Sequence, residues 1–335
     1  MSSALAGMTT PWFNPAALIL SRAALAGPFK GDTLPIDLPA PIDKASRLSR
    51  WAPAPRLLVC NLEALSGLAF VDDPAHDELA LAFADLSADQ PVRQPLVALR
   101  RPTEAIFKEQ LEFVSLYADL RDDRGGEILA QIGGGLDFLA SVVALTSHRH
   151  KYTLELIDMA IALGLHVKMR FKHAFACQRP IDLSPQIQPM IPTPGHGSWP
   201  SGHASEAYLL ITILQALLPD GHVYMEQLER LAARIAVNRT VAGLHFPVDS
   251  AAGRLLGTAL GHFFVARCKG IDVHERGFDG SKFRKDGAAI DFDPRVSISD
   301  GSSGYYQIGR TIPIAASSIL SYMWEKAAAE WKLST

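Results

Sequence analysis

Cysteine is scarce: Cys60, Cys177 and Cys268 are the 3 in a chain of 335 residues. An odd count without repeated spacing excludes a disulfide framework, supplies no zinc motif and fits a reducing compartment. Charge of one sign is missing as well. The 32 Lys and Arg against 35 Asp and Glu leave a formal net charge of −3, so no basic face of the kind that neutralises nucleic-acid phosphates is expected. Any anion must then be held by local placement of cations rather than by a global field. Long apolar runs are absent too. The longest uncharged helical stretch, Ala207–Pro219, falls short of the roughly 20 residues that a bilayer crossing needs. The start of the chain is apolar, yet it carries no basic leader, and Pro11, Trp12, Asn14 and Pro15 interrupt it. That pattern is not a secretory signal, and a cytoplasmic location is expected. No internal repeat occurs, nor any strand alternation of useful length.

What the chain does have is length and apolar residues at helical spacing. Apolar side chains make up 48% of it, and dividing by roughly 150 residues per domain gives about two domains. Residues 1–100 are Pro-rich, with turn signals at Pro35–Pro41 and Pro53–Pro55, and read as an extension of short helices and ordered loops. From Thr103 onward the helical period is clearer. Helices are expected from Thr103, over Glu127–Thr146, Tyr152–Val167, Gly202–Leu218, Tyr224–Val237, Asp249–Cys268 and Ile314–Leu333, with surface loops over 271–311. The reading is an all-α helical bundle in residues 101–335, with the N-terminal hundred packed against it and a possible homo-oligomer.

Three short blocks carry chemistry. KHAFACQRP holds Lys172, Arg179 and Pro180; WPSGHAS holds Pro200, Ser201, Gly202 and His203; NRTVAGLHFPVD holds Arg239, His245 and Asp249. Lys172, Arg179 and Arg239 brought to one point would repel unless an anion neutralised them, and a tetrahedral oxyanion does so. Arginine grips paired oxygens, while lysine acts as a point charge. Ser201 and Gly202 at a helix start offer free N–H groups, a hydroxyl and a close backbone approach. His203 and His245 supply a nucleophile and an acid–base group. Asp249 either orients one ring nitrogen of His245 or caps the helix that follows, or does both.

At these residues the chain resembles the type 2 phosphatidic acid phosphatase superfamily, which includes bacterial acid phosphatases and vanadium-dependent haloperoxidases. The shared pattern is Lys-x6-Arg-Pro, then Pro-Ser-Gly-His, then Ser-Arg-x5-His-x3-Asp. It is matched throughout except at Asn238, where serine is usual. The resemblance implies the superfamily's helical bundle. It also implies that Lys172, Arg179, Ser201, Gly202 and Arg239 bind equatorial oxygens, and that His203 works opposite as acid and base. His245 would be the phosphatase nucleophile or the axial vanadium ligand. One pocket serves both chemistries because phosphoryl transfer passes through a five-coordinate geometry that vanadate adopts stably.

The expected activity is that of a haloperoxidase in which bound vanadate activates hydrogen peroxide to oxidise halide and halogenate a small organic acceptor. Phosphate could occupy the same place. The long helical leader favours this reading. So does His196, five residues before Ser201, an offset at which similar bromide enzymes tend to carry histidine. Met169, three before Lys172, departs from the tryptophan or arginine usual there and leaves the halide open. His196, Trp199 and Met169 are the expected walls of the halide or substrate pocket. The alternatives are a phosphomonoesterase working through a phosphohistidine at His245, and a non-catalytic oxyanion-binding protein.

Overall fold

The structure, a computed structural model, describes residues 15–25, 27, 31, 34–35, 42–219 and 221–332. The Pro35–Pro41 turn signals and the residues that argue against a secretory leader fall largely outside these. The chain divides into two compact units, Met1–Val59 and Cys60–Thr335. The smaller holds α1 (Pro15–Leu25) and a 3-10 turn at Ala45–Arg50, whose Leu48 carbonyl accepts from Arg56 Nη1 at 2.9 Å. Helix α2 (Pro53–Leu65) runs from the first unit into the second.

The larger unit opens on strands β1 (Leu68–Asp73), β2 (Glu78–Phe83) and β3 (Gln94–Arg100). Helices α3 (Glu104–Tyr117), α4 (Arg121–Ala130), α5 (Leu136–Val142), α6 (Lys151–Phe175) and the single turn α7 (Pro180–Leu183) follow. Next come α8 (Gly202–Leu217), α9 (Gly221–Val241) and α10 (Pro247–Lys269). The chain continues through β4 (Val273–Asp279), a minimal hairpin of β5 (Arg284–Lys285) and β6 (Ala288–Ala289), then β7 (Tyr306–Ile312) and α11 (Ser318–Lys332). Among the described residues no helix is long and apolar enough to cross a membrane.

The all-α expectation is overturned. Five strands form one mixed sheet in the order β1-β2-β3-β4-β7, so the protein combines helices with a sheet. Every pairing in it is antiparallel except β3 with β4, which run parallel with Val97 opposite Arg276. Residues 271–311, expected as surface loops, contribute two of the five strands. The strands escaped notice for physical reasons. In β2, Glu-Leu-Ala-Leu-Ala-Phe is built largely from good helix formers, and β4, Val-His-Glu-Arg-Gly-Phe-Asp, is rich in residues that sheets avoid. What stabilises them is long-range pairing and burial against helices: Phe83 meets Phe263 of α10, and Phe70 meets Phe171 of α6, each with ring centroids 5.3 Å apart.

The helices follow the apolar period more closely. Helix α6 buries Leu156, Ala160, Leu163, Val167, Phe171 and Phe175 at three- and four-residue intervals. The Glu330 carboxylate of α11 takes up the free N–H groups of Tyr152 and Thr153 in its first turn, at 2.8 and 2.9 Å. The continuous helix expected over Glu127–Thr146 is broken. Gly133, Gly134 and Gly135 interrupt it between α4 and α5, with Gly134 at a φ of 122° that other residues avoid.

Helices α8 and α10 are buried on nearly every side and cross closely. Gly253, Gly257 and Gly261 line the α10 side of the crossing. A Cβ at Gly253 would lie 2.7 Å from the Ser201 carbonyl, one at Gly257 would overlap the Ser205 carbonyl, and one at Gly261 would meet Thr212 Cβ at 2.6 Å. Backbone cannot yield as a flexible side chain does. Gly257→Ala should therefore lose about 1–3 kcal/mol in urea denaturation despite alanine's better helix propensity. Gly126→Ala in α4, where a Cβ meets nothing within 4 Å, should be neutral or gain up to about 1 kcal/mol. Equal stability of the two variants would disprove the tight crossing.

Candidate active site

The three blocks meet, and hydrogen bonds to backbone carbonyls join them pairwise. Block one touches block two where Lys172 Nζ, at the end of α6, donates to the carbonyls of Gly197 and Ser198 at 2.8 and 2.7 Å, and where Ser198 N donates to the Cys177 carbonyl at 2.9 Å. Block one touches block three through Arg179, whose Nη1 donates to the Leu244 carbonyl at 2.9 Å, next to His245. Block two touches block three where Ser201 N donates to the Asp249 carbonyl at 2.9 Å. Ser201 also caps α8, its hydroxyl accepting from Ala204 N at 3.4 Å. The space beside Gly202 opens toward Lys168, whose side chain would sit 3.7 Å from an added Cβ.

His245 is held by one nitrogen. Its Nδ1 lies 2.7 Å from Asp249 Oδ2, which also accepts from Phe246 N at 3.1 Å and from the Ser198 hydroxyl. Asp249 thus orients the imidazole and caps α10 with the same oxygen. Burial drives the His245 pKa well below the histidine range, and Lys172, Arg179, His203 and Arg239 push it in the same direction. The ring is neutral, its Nδ1 proton faces Asp249, and Nε2 keeps its lone pair. Burial raises the Asp249 carboxyl to about 6, so it is ionised at neutral pH.

The cations are unusually buried. Lys172 is brought down to about 7 by burial and by the neighbouring Arg179. Arg239 is fully buried, and its Nη2 donates to Gln131 Oε1 at 2.9 Å while Nε and Nη1 find no acceptor among the described residues. Burial and Arg239 lower His203 to about 4. Its Nε2 contacts the Gln131 carbonyl at 3.0 Å. A cluster of buried cations with unmet donors around two neutral imidazoles is complementary to an oxyanion.

Two cavities give access. An inner one of about 210 Å³ is bounded by Lys168, Lys172, Arg179, Gly202, His203 and His245. An outer cleft of about 640 Å³ runs on past His173, Gln178 and Thr193. Met169 and His196 line both, and the His196 ring leans on Arg179 with Nδ1 3.2 Å from Nη2. Trp199 does not line either. It is fully buried, edge-on to Phe175 with centroids 4.7 Å apart, so its place as a pocket wall is corrected to one in the aromatic core.

Three residues of the site went unread in the sequence. Lys168 stands one turn before Lys172 on the same face of α6 and pairs with Glu206 at 3.3 Å; helical spacing alone would have found it. Ser198 holds Asp249, and Gln131 holds Arg239 and Asn238, the latter through Nδ2 at 3.1 Å. Neither has a local signal, and Gln131 lies at the glycine break that was expected to be helix.

Two outcomes follow from this geometry. Sulfate, a dianion throughout the neutral range, should bind more weakly as pH rises through about 7. A bound dianion raises the Lys172 pKa, so binding takes up a proton wherever free Lys172 is neutral. Calorimetry in buffers of different ionisation enthalpy measures that uptake, and none above pH 7 would contradict it. Gln131→Met, which keeps the volume but removes the acceptor of Arg239, should weaken sulfate about tenfold without unfolding the protein.

Among curated proteins nothing matches the chain. A solved structure that is similar is described as the first transmembrane PAP2 type phosphatidylglycerolphosphate phosphatase from Bacillus subtilis. It is 17% identical, covers 48% of this chain and 84% of its own, and has a TM-score of 0.39. The family model of the PAP2 superfamily matches residues 155–269, a span that contains all three blocks. Through that region the chain is similar to the PAP2 superfamily.

Proposed function

We propose that the protein is a phosphatase that cleaves phosphate monoesters through a phosphohistidine at His245. The observation that carries this reading is the neutral His245, fixed through Nδ1 by Asp249 and buried beside Lys172, Arg179 and the unmet donors of Arg239. The match of residues 155–269 to the PAP2 superfamily supports it.

The steps run as follows. Lys172, Arg179, Arg239 and the start of α8 at Ser201–Gly202 take the phosphoryl oxygens, and the added negative charge returns a proton to His203. His245 Nε2 attacks phosphorus, and the bond to the ester oxygen breaks with its electron pair. The departing oxygen takes the His203 proton and leaves as the alcohol. Water then attacks the phosphohistidine, gives its proton to His203, and His245 departs as the leaving group. Asp249 stabilises the positive charge that develops on the ring in the first step and guides its return in the second. The outer cleft would take the alcohol portion, with Met169 and His196 at its narrow end.

The same donors would also hold vanadate, with His245 as the ligand, because the unmet Arg239 groups suit either tetrahedral ion. Bound there, vanadate would supply the Lewis-acid centre that activates peroxide toward halide. Nothing among the similar proteins favours peroxide or halide chemistry over ester hydrolysis, and phosphoryl transfer is the conclusion drawn.

A paired assay separates the two. A chromogenic phosphate ester should be hydrolysed without added metal and protected by vanadate, whereas bromination of a phenol by vanadate, peroxide and bromide should be negligible. Radiolabelled substrate should leave an acid-labile, base-stable phosphoenzyme that is absent in His245→Ala. Asp249→Asn should fold and lose about 10²–10⁴ in kcat. Full activity in His245→Ala would overturn the mechanism, and bromination without hydrolysis would reinstate the haloperoxidase.

A further inference from the structure

A second basic cavity lies at the far end of α10, where the proposed reaction has no use for it. It encloses about 270 Å³ between the end of α8, the second half of α10 and the entry to β4, with His262 and His274 exposed at its rim and Arg276 among its walls. The rise of about 1.5 Å per residue puts His262 roughly 20 Å from Asp249 along the helix.

Arg276 is the unusual group. It is 7% exposed, one N–H of its guanidinium donates to the Ile298 carbonyl at 2.9 Å, and its Nε has no acceptor among the described residues. Arg254 and Arg267 are similarly buried, each with one bond to a carbonyl and an unmet Nε. Those two, however, lie over aromatic faces, Arg254 on Tyr208 at 5.5 Å and Arg267 on Phe83 at 5.3 Å. Arg276 has neither a ring nor a carboxylate partner within salt-bridge distance among the described residues. Burial alone accounts for its lowered pKa. A buried cation without a counter-charge is costly, and this one borders an open space shared with two imidazoles.

We infer that this cavity is a second anion site, in which Arg276 with His262 and His274 receives a small oxyanion of the phosphate or carboxylate kind. Arginine's planar fork suits either oxyanion, and each histidine can add a ring N–H donor. Asp272 at the mouth disfavours a large polyanion and keeps the ligand small.

Equilibrium dialysis of the full-length protein with labelled inorganic phosphate tests this. Wild-type protein should bind two equivalents, and Arg276→Gln only one, with ester hydrolysis unchanged. Because Arg276 is in β4 and could be needed for folding, His262→Gln serves as the second variant. It should weaken one of the two equivalents about tenfold and leave the other as it was. Acetate that displaces one equivalent would assign the site to carboxylates, and failure to displace would assign it to phosphate. A single equivalent that Arg276→Gln and His262→Gln leave unaltered, or two of unaltered affinity in His262→Gln, would overturn the inference. The count is independent of ester hydrolysis, so its failure is distinct from a failure of the phosphatase reading.

Discussion

The close crossing of α8 and α10 is the constraint on which the rest of the site depends. Ser201, Gly202 and His203 stand at the start of α8, and Asp249 lies in the first turn of α10, four residues after His245. For Ser201 N to reach the Asp249 carbonyl at 2.9 Å, the two helix starts must approach nearly backbone to backbone. Glycine at 253, 257 and 261 permits that along three successive turns. Ordinary packing holds helix axes 8–10 Å apart with side chains between them, and such a spacing would part the anion cradle from the histidine that faces it. The sheet supports the pair from outside, Phe83 on Phe263 bracing the second half of α10.

Burial sets the chemistry inside that frame. The most deeply buried groups move toward their neutral forms: Lys172 falls to about 7, His203 to about 4, and Asp249 climbs to about 6. These shifts share one cause, removal from water, and a doubly charged ligand reverses those of the cations and the imidazoles together. The site is thus electrostatically prepared for an oxyanion and unfavourable without one. Burial beside three cations keeps His245 neutral, because its charged form would add a fourth positive charge to the same small volume.

Much of the site was legible in the sequence, while part of the fold was not. The three blocks named Lys172, Arg179, Ser201, Gly202, His203, Arg239, His245 and Asp249, and the structure gathers them around one cavity and its rear wall. The long helices α6, α8 and α10 followed from apolar spacing, since each buries a face or more. The sheet did not follow. Its parallel pair joins Val97 to Arg276, and no local pattern encodes a partner so far away in sequence. Trp199 shows the limit at the level of single residues: adjacency to a motif places the backbone near the site, but Phe175 and Phe278 hold the ring in the core. The glycines at 133–135 lie within the helix expected over Glu127–Thr146, whereas they follow the end of α4, and the Gln131 carbonyl there meets both Gly134 N and His203.

That same break explains the one departure from the family pattern. A serine hydroxyl at position 238 could donate a single hydrogen bond. The amide of Asn238 donates from Nδ2 to Glu127 Oε1 at 2.8 Å and to Gln131 Oε1 at 3.1 Å, and its Oδ1 accepts from Arg124 at 3.3 Å. Gln131 in turn donates to Glu127 at 3.1 Å and accepts from Arg239 at 2.9 Å. The donors and acceptors of this buried set agree in only one orientation of the Gln131 amide, with its oxygen toward Arg239. Asparagine at 238 therefore matches Arg124, Glu127 and Gln131 on α4 and its end, residues outside the matched span of 155–269. The Arg239 guanidinium is held by the half of the chain that carries none of the three blocks.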